Sequence, residues 1–274
     1  MLPRLIASDL DGTLLDDEKR LTPRTVAAVK AVRDAGIEFV LVTARPPRTV
    51  AHLAEELGGR ISALCGNGTI LAEFDAELGG SGENPGTTTL IHSLPADQAI
   101  AIVDQLRPVL AETRFAMETG FEVYFEPGFG LGSVSDSHRV LTDDLAGIAP
   151  QMPSIVKVLA RSQRYSADEL VRIATETLTV HAEISHSGGF GLLEIAPLGA
   201  SKASALGWLC ARRGIAASEV AAFGDMPNDL PMLRWAGLGH AMANAHADVL
   251  AAADRVVGHH ARDGVAIALE ELLG

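Results

Sequence analysis

The sequence predicts an α/β protein whose parallel-sheet core is interrupted by an inserted α+β unit. Three observations carry that reading. Between residues 5 and 64, short apolar runs alternate with helical patterns. After Asn67-Gly68 the rhythm changes to strands with few helices, and it stays so to about Pro197. From Ser201 the β/α alternation returns. Alternation argues for a parallel sheet with helices on both sides, and runs of strands with few helices for an α+β unit.

Leu5–Ser8 reads as a short buried strand. Thr22 then offers a helix N-cap and Pro23 the first helical position. Val26, Val29 and Val32 recur at helical spacing, and Gly36 closes the helix. Ile37–Val42 is a continuous β-rich run, as in a strand buried on both faces, and it ends at Thr43. The pattern predicts a second helix over Pro47–Leu57 and a buried strand at Ile61–Leu64. Ile70–Phe74 and Thr87–Ser93 are expected to form a hairpin around a flexible loop at 79–86.

The inserted unit is expected over 95–197, which leaves 1–94 and 198–274 for the core. It reads as helix Ala96–Leu106, strands Phe115–Glu118 and Phe121–Glu126, and a Gly- and Ser-rich loop at 128–137. Strand Pro153–Ala160, helix Ala167–Thr177 and a strand pair, Val180–His186 and Phe190–Ile195, complete it. The core resumes with helix Ser201–Arg213, strand Val220–Phe223 and helix Asn228–Ala236.

Composition narrows the function. At 274 residues and 47% hydrophobic, the chain can bury a sizeable core. A formal net charge of −13 argues against nucleic acid or an anionic membrane as partner, because both want a basic surface. A local basic pocket for a small anion is still permitted. Cys65 and Cys210 have neither disulfide density nor Cys-x-x-Cys spacing, so two reduced thiols are expected. No signal-peptide pattern and no apolar run of ~18 residues is present, and the expectation is a soluble cytoplasmic protein.

The chemistry concentrates in a few places. Asp9 and Asp11 stand two residues apart where an apolar run stops, and in a strand such residues share a face. Gly12 then permits a sharp turn. Two carboxylates aimed into one space at the mouth of a sheet suit a metal, a nucleophile and an acid/base group together. The segment 224–229 repeats this logic: a buried strand ends at Gly224, and Asp225, Asn228 and Asp229 follow. Thr43 closes another strand and Lys202 opens a helix. Open α/β sheets bind ligands at the carboxyl edge, so the strand-end sites meet if their strands are neighbours.

Plainer readings exist for each. The Asp9/Asp11 pair could be solvated in a turn, and Asp225 and Asp229 could simply face a helix dipole. Thr43 could cap a helix before Pro46-Pro47. Lys202 could be solvated, although a cation at a helix start opposes the dipole, and such a local conflict points to a functional demand.

Asp-Leu-Asp-Gly-Thr-Leu-Leu at 9–15, then Thr43, Lys202 and Gly-Asp-x-x-Asn-Asp at 224–229, in that order, resembles the haloacid-dehalogenase-like (HAD) superfamily. The insertion between Thr43 and Lys202 is similar to the cap of its Cof-type sugar-phosphatase branch. So are Asn67-Gly68, Leu193-Glu194-Ile195 and the stretch 241–245. The resemblance covers nearly the whole chain. It implies a Rossmann-like core with an inserted α+β cap that closes over the site. It also implies a Mg²⁺-dependent phosphatase of a small phosphorylated metabolite, such as a sugar phosphate.

The resemblance further implies roles. Asp9 would be the nucleophile that becomes an aspartyl-phosphate, and Asp11 the general acid and base. Mg²⁺ would be held by Asp9, Asp225 and the backbone carbonyl of Asp11, with Asp229 acting through water or holding Lys202. Thr43, Lys202 and Asn228 would bind phosphate, while Arg45, Asn67 and Asn244 would position substrate or loops. The family commonly has Gly after the Thr and after the Lys, where this chain has Ala44 and Ala203. These departures leave substrate shape open, not reaction type. The alternatives are a phosphomutase of the same superfamily and a phospho-accepting, receiver-like switch. The latter is disfavoured by Asp11-Gly12-Thr13 and by the large insertion. The chemistry needs none of the nine histidines, and His181, His186, His259 and His260 match no zinc pattern.

Overall fold

The computed structural model describes residues 2–75, 86–130, 138–186 and 191–274. The chain divides into two compact units, residues 1–91 with 201–274, and residues 92–200. The Gly-rich segment 79–85, the loop beyond Gly130 to residue 137, and Phe190 lie outside the described residues.

β1 (Leu5–Ser8) is buried along all four residues, as a strand covered on both faces must be. α1 (Pro23–Asp34) starts where the Thr22 hydroxyl accepts the Thr25 N–H, with Pro23 in the first turn. β2 (Glu38–Val42) is buried over its last four residues. The helix predicted from Pro47 is divided: Pro47–Thr49 make one tight turn, and α2 (Ala51–Leu57) follows. Pro46 and Pro47 fix their own φ and set a three-residue turn, with the Val50 N–H bonded to the Pro47 carbonyl. β3 (Arg60–Cys65), β4 (Ile70–Asp75) and β5 (Thr87–Leu90) form an antiparallel ladder. β5 stops three residues short of Ser93, because the chain enters the second unit, where Leu94 bridges to Ile155.

The second unit contains α3 (Ala96–Leu106), β6 (Arg114–Glu118), β7 (Val123–Phe125), β8 (Arg139–Leu141), α4 (Leu145–Ile148), β9 (Lys157–Arg161), α5 (Ala167–Thr177), β10 (Ala182–Ser185) and β11 (Leu192–Pro197). Among the described residues its sheet runs β10-β11-β9-β6-β7-β8. Three predicted strands are shorter than expected. β7 begins at Val123 because Thr119 and Glu122 close a turn, the Thr119 hydroxyl accepting the Glu122 N–H. β9 begins at Lys157, and the preceding Ile155 makes only the isolated bridge to Leu94. β10 lacks the ends at Val180 and His186. β8 and α4 were not anticipated, since three or four residues show no period. Ile102, Leu106, Leu170 and Ala174 of the helices pack on Phe115, Val158, Leu193 and Ile195 of the sheet.

The first unit resumes with α6 (Lys202–Arg213), β12 (Val220–Gly224), α7 (Leu230–Trp235), β13 (Leu238–Met242), α8 (Ala247–Ala252), β14 (Arg255–Val257) and α9 (Gly264–Leu273). The helix predicted from Asn228 starts two residues later, after a tight turn at Pro227–Asp229. The sheet order is β14-β13-β12-β1-β2-β3-β4-β5 among the described residues. Its first six strands are parallel, and the last two pairings, β3–β4 and β4–β5, are antiparallel. Leu5, Ala7, Val40 and Val42 pack with Leu206, Leu209 and Leu233 on one face. β12, β1 and β2 are neighbours, so the residues after each leave the sheet side by side. Both cysteines are buried. Among the described residues, no helix is long and apolar enough to cross a membrane.

Candidate active site

The site forms where β1, β2 and β12 end. Asp9 continues the line of β1, its N–H donating to the Phe223 carbonyl at 3.0 Å. The strand itself stops at Ser8, so Asp9 and Asp11 do not share a strand face as the sequence suggested. Residues 10–14 instead make a wide turn, closed by the Leu15 N–H on the Leu10 carbonyl at 2.9 Å. Gly12 has φ +81°, and a Cβ there would overlap the Asp225 carboxylate, so the turn needs glycine twice over. The consequence is that the two carboxylates part company. Asp9 Oδ1 accepts from Lys202 Nζ at 2.6 Å, while Asp11 is held by Arg45 and by Lys19 Nζ at 3.1 Å.

Asp225 follows β12 and receives the Thr13 hydroxyl on Oδ1 at 3.1 Å. Asp229 is wholly buried. Its Oδ2 accepts the N–H groups of Asp225 and Met226, both at 3.0 Å, and its Oδ1 accepts Lys202 Nζ at 2.6 Å. Lys202, 1% exposed, is therefore clamped between two carboxylates. That answers the conflict at the start of α6: two carboxyl groups at hydrogen-bond distance outweigh the unfavourable helix dipole.

Asp9, Asp225 and Asp229 each place one carboxylate oxygen within 4.8 Å of the others. Asp11 contributes no carboxylate to this group. Three buried acids against one buried lysine leave an excess of negative charge, and the titration behaviour reflects it. Burial pushes Asp9 well above the usual carboxylate range; Lys202 pulls it down, and Asp229 and Asp225 push it further up. Asp225 is pushed up to about 6 by burial and by Asp229. For Lys202, burial works against the charge, but Asp229 and Asp9 hold the ammonium more basic than a free lysine. A cluster of hard oxygen donors with surplus negative charge fits a divalent cation.

Asp11 behaves oppositely. Burial alone would raise it, but the hydrogen bond and charge of Arg45, with Lys19 adding, hold it below its ordinary value. Thr43 is buried, and its hydroxyl accepts the Arg45 N–H at 3.1 Å, so it shapes the loop after β2 and caps no helix. The Thr43 carbonyl accepts the Asn67 N–H, and the Arg45 carbonyl the Gly66 N–H, both at 2.9 Å, which ties the loops after β2 and β3 together. Asn228 Nδ2 donates to Asn67 Oδ1 at 3.2 Å, and its own Oδ1 is buried without a partner among the described residues. Asn244 Nδ2 donates to the Gly12 carbonyl at 2.8 Å.

Ten predicted residues thus assemble in two linked groups. Asp9, Asp225, Asp229 and Lys202 form the buried cluster. Asp11, Arg45, Thr43, Asn67, Asn228 and Asn244 shape the loops around it. Sequence reasoning gave no contact at the site to Thr13, Lys19 or His260, which meet Asp225, Asp11 and the Leu15 carbonyl respectively. Lys19 lies in a charged run that resembles a solvated turn, and nothing in it shows the left-handed backbone, φ 61°, that accompanies its reach to Asp11.

The fold and site define an α/β protein that gathers acids and a lysine at the carboxyl edge of a parallel sheet. Residues 6–269 match the family model described as haloacid dehalogenase-like hydrolase, and the chain belongs to that family. Over 97% of both chains it is 28% identical to a pyridoxal phosphate phosphatase of Escherichia coli. It is likewise 28% identical to a 5-amino-6-(5-phospho-D-ribitylamino)uracil phosphatase of Bacillus subtilis, over 98% of this chain and 97% of that one. A haloacid dehalogenase-like hydrolase structure from Bacteroides thetaiotaomicron superposes with a TM-score of 0.77 at 27% identity, covering 98% of this chain and 99% of that one. The chain is a phosphatase of this family.

Proposed function

We propose that this chain hydrolyses the phosphate monoester of a small metabolite, with Mg²⁺ as cofactor and an aspartyl-phosphate on Asp9. The observation that carries the reading is the clamp of buried Lys202 between Asp9 and Asp229, beside Asp225. Asp9, Asp225 and Asp229 would hold the cation, with the Asp11 carbonyl completing the protein's share. When bound, Mg²⁺ supplies the positive charge that lets a carboxylate approach a phosphoryl group.

In the first step a carboxylate oxygen of Asp9 forms a bond to phosphorus as the ester P–O bond breaks. The leaving oxygen takes a proton from Asp11. The Arg45 fork and Lys19 hold that carboxyl below its ordinary value, so the step requires bound substrate to loosen the fork and Asp11 to take up a proton first. In the second step water attacks the phosphoryl group, Asp11 takes the water's proton, and the Asp9–phosphorus bond breaks. Inorganic phosphate leaves and both acids return to their starting state. Lys202 holds Asp9 in place and, with Thr43 and Asn228, offers hydrogen-bond donors to the phosphoryl oxygens, fixed before charge develops there.

Segment 95–197 would act as a cap that supplies specificity. The two curated relatives act on phosphorylated heterocycles, so pyridoxal phosphate and ribityl phosphates belong beside sugar phosphates among the compounds to test. Asp9→Asn should abolish inorganic phosphate release in a Mg²⁺-supplemented assay while the protein stays folded. Normal turnover by that variant would remove Asp9 from the nucleophile's role. An isomerised sugar phosphate in place of free phosphate would make the enzyme a mutase.

A further inference from the structure

The wide turn at residues 10–14 is closed by the Leu15 N–H on the Leu10 carbonyl. Asp11 and Gly12 leave the helical range, at ψ 113° and φ 81°. Backbone carbonyls in such a segment need donors from elsewhere. Two are supplied by one distant stretch of chain. Asn244 Nδ2 donates to the Gly12 carbonyl at 2.8 Å, and His260 Nδ1 lies 2.8 Å from the Leu15 carbonyl. A carbonyl oxygen only accepts, so the proton sits on Nδ1. The two donors are joined, because the His260 N–H donates to Asn244 Oδ1 at 3.1 Å. His260 also reaches forward: its Nε2 lies 3.3 Å from Asp17 Oδ1. Asp17 belongs to the loop whose Lys19 meets Asp11.

We propose that His260 is a positioning residue for phosphoryl transfer, holding the Asp9–Asp11 turn in working shape through the Leu15 carbonyl. The inference rests on the proposed roles of Asp9 and Asp11. His260 touches neither acid's carboxylate. It acts by fixing the end of the turn that Asn244 fixes in the middle, so the spacing between nucleophile and acid/base group is set by a strut from the far end of the chain.

The test compares His260→Asn, His260→Gln and wild type in a Mg²⁺-supplemented phosphate-release assay with one phosphorylated substrate, folding being checked by circular dichroism. An Asn amide places its nitrogen near the position of Nδ1 and keeps the bond to Leu15; a Gln amide places it near Nε2 and loses that bond. His260→Gln should lower kcat on the order of 10²-fold, the effect of a displacement of about 1 Å at the reacting groups. KM should change little, and His260→Asn should keep kcat close to wild type. Equal kcat in all three proteins, or equal loss in both variants, overturns the inference. Asp9→Asn in the same assay separates the outcomes: if it still turns over, the proposed function fails; if it is dead while His260→Gln is fully active, only the strut fails.

Discussion

Arg45 grips Asp11 with both arms of its guanidinium: Nε lies 2.6 Å from Oδ2 and Nη2 lies 2.7 Å from Oδ1. The two planes match as a fork, the geometry in which an arginine–carboxylate pair is strongest. The grip orients a carboxylate that the backbone does not aim, since β1 has already ended at Ser8. It also decides the charge state of Asp11, because without Arg45 burial would drive that carboxyl up.

Removal of Arg45 should therefore raise Asp11. In Arg45→Ala, burial faces only Lys19, and the carboxyl should titrate at higher pH than in wild type. Arg45→Lys should lie between, since an ammonium supplies charge without the fork. Carboxyl ¹³C titration of Asp11 in the metal-free protein reads this directly. An unchanged titration in Arg45→Ala would show that the fork does not govern the acid. The sign for stability follows from the depressed value: the pair stabilises the fold above the ordinary Asp range and ceases to as pH falls through the folded value.

Asp9→Asn should lower turnover on the order of 10⁴-fold or more, the scale seen when a covalent nucleophile is lost. Lys202 would keep one of its two carboxylates, Asp229 at 2.6 Å, so the buried ammonium stays paired and the fold survives. Single-turnover phosphate release, with thermal unfolding as control, checks both halves of the expectation.

Much of this arrangement is readable along the chain, and the unread part has a common cause. Asp9, Thr43 and Asp225 stand out because an apolar run stops beside each of them, which marks a strand end. Lys202 stands out because a cation sits badly at a helix start. Partners are another matter. Asp11 meets Arg45 instead of the acidic cluster because five residues adopt a wide turn that no period announces. His260 meets Leu15 across 245 positions of sequence, and a histidine beside a histidine gives no sign of it. Short strands such as β8 are hidden for a related reason: three residues fit any pattern.

Cation binding should reverse an electrostatic penalty. Asp225, pushed up to about 6 in the metal-free protein, is raised above its unfolded value. Its burial is therefore least costly below the ordinary Asp value, and it destabilises the fold as pH rises through about 6. Asp225→Asn should raise the metal-free Tm at pH 7.5. In wild type, Mg²⁺ at 100 times its dissociation constant should add about 2.7 kcal/mol, and Asp225→Asn should lose that gain. Mg²⁺ affinity should weaken below about pH 6, where protons compete for the carboxylate. Calorimetric scans with Mg²⁺ and with EDTA test all three, and EDTA should silence turnover.

His240 should mark the acid limb of stability. The ring is buried, stacks on Phe223 at 4.4 Å between centroids, and lies 3.3 Å from the Ala222 carbonyl. Burial holds its pKa below the ordinary histidine value of 6.5. A histidine kept neutral in the fold contributes fully above 6.5, and its contribution is lost as pH falls through the folded value. Urea unfolding at pH 7.5 and 5.0 should show a smaller loss of stability for His240→Gln than for wild type. Parallel losses would assign the acid limb to other groups.

Gly68 offers the sharpest test of the packing behind the site. Its φ is +94°, and a Cβ there would overlap the Ser201 carbonyl and lie 2.8 Å from the Ala205 Cβ. Ser201 caps α6, and Lys202 is the first residue of that helix. Gly68→Ala must therefore either strain its own backbone or push the helix start away. The expected cost is about 1–3 kcal/mol, as for other overpacked sites, plus the penalty of a left-handed alanine. Activity should fall further than stability predicts, because a displaced α6 carries the Lys202 ammonium off Asp9. Comparing Gly68→Ala with Gly36→Ala isolates that effect: Gly36 also has a left-handed φ of +81°, but nothing lies within 4 Å of its Cβ position. Gly36→Ala should lose stability alone, and equal kcat in the two variants would show that the loop after β3 does not set the position of the lysine.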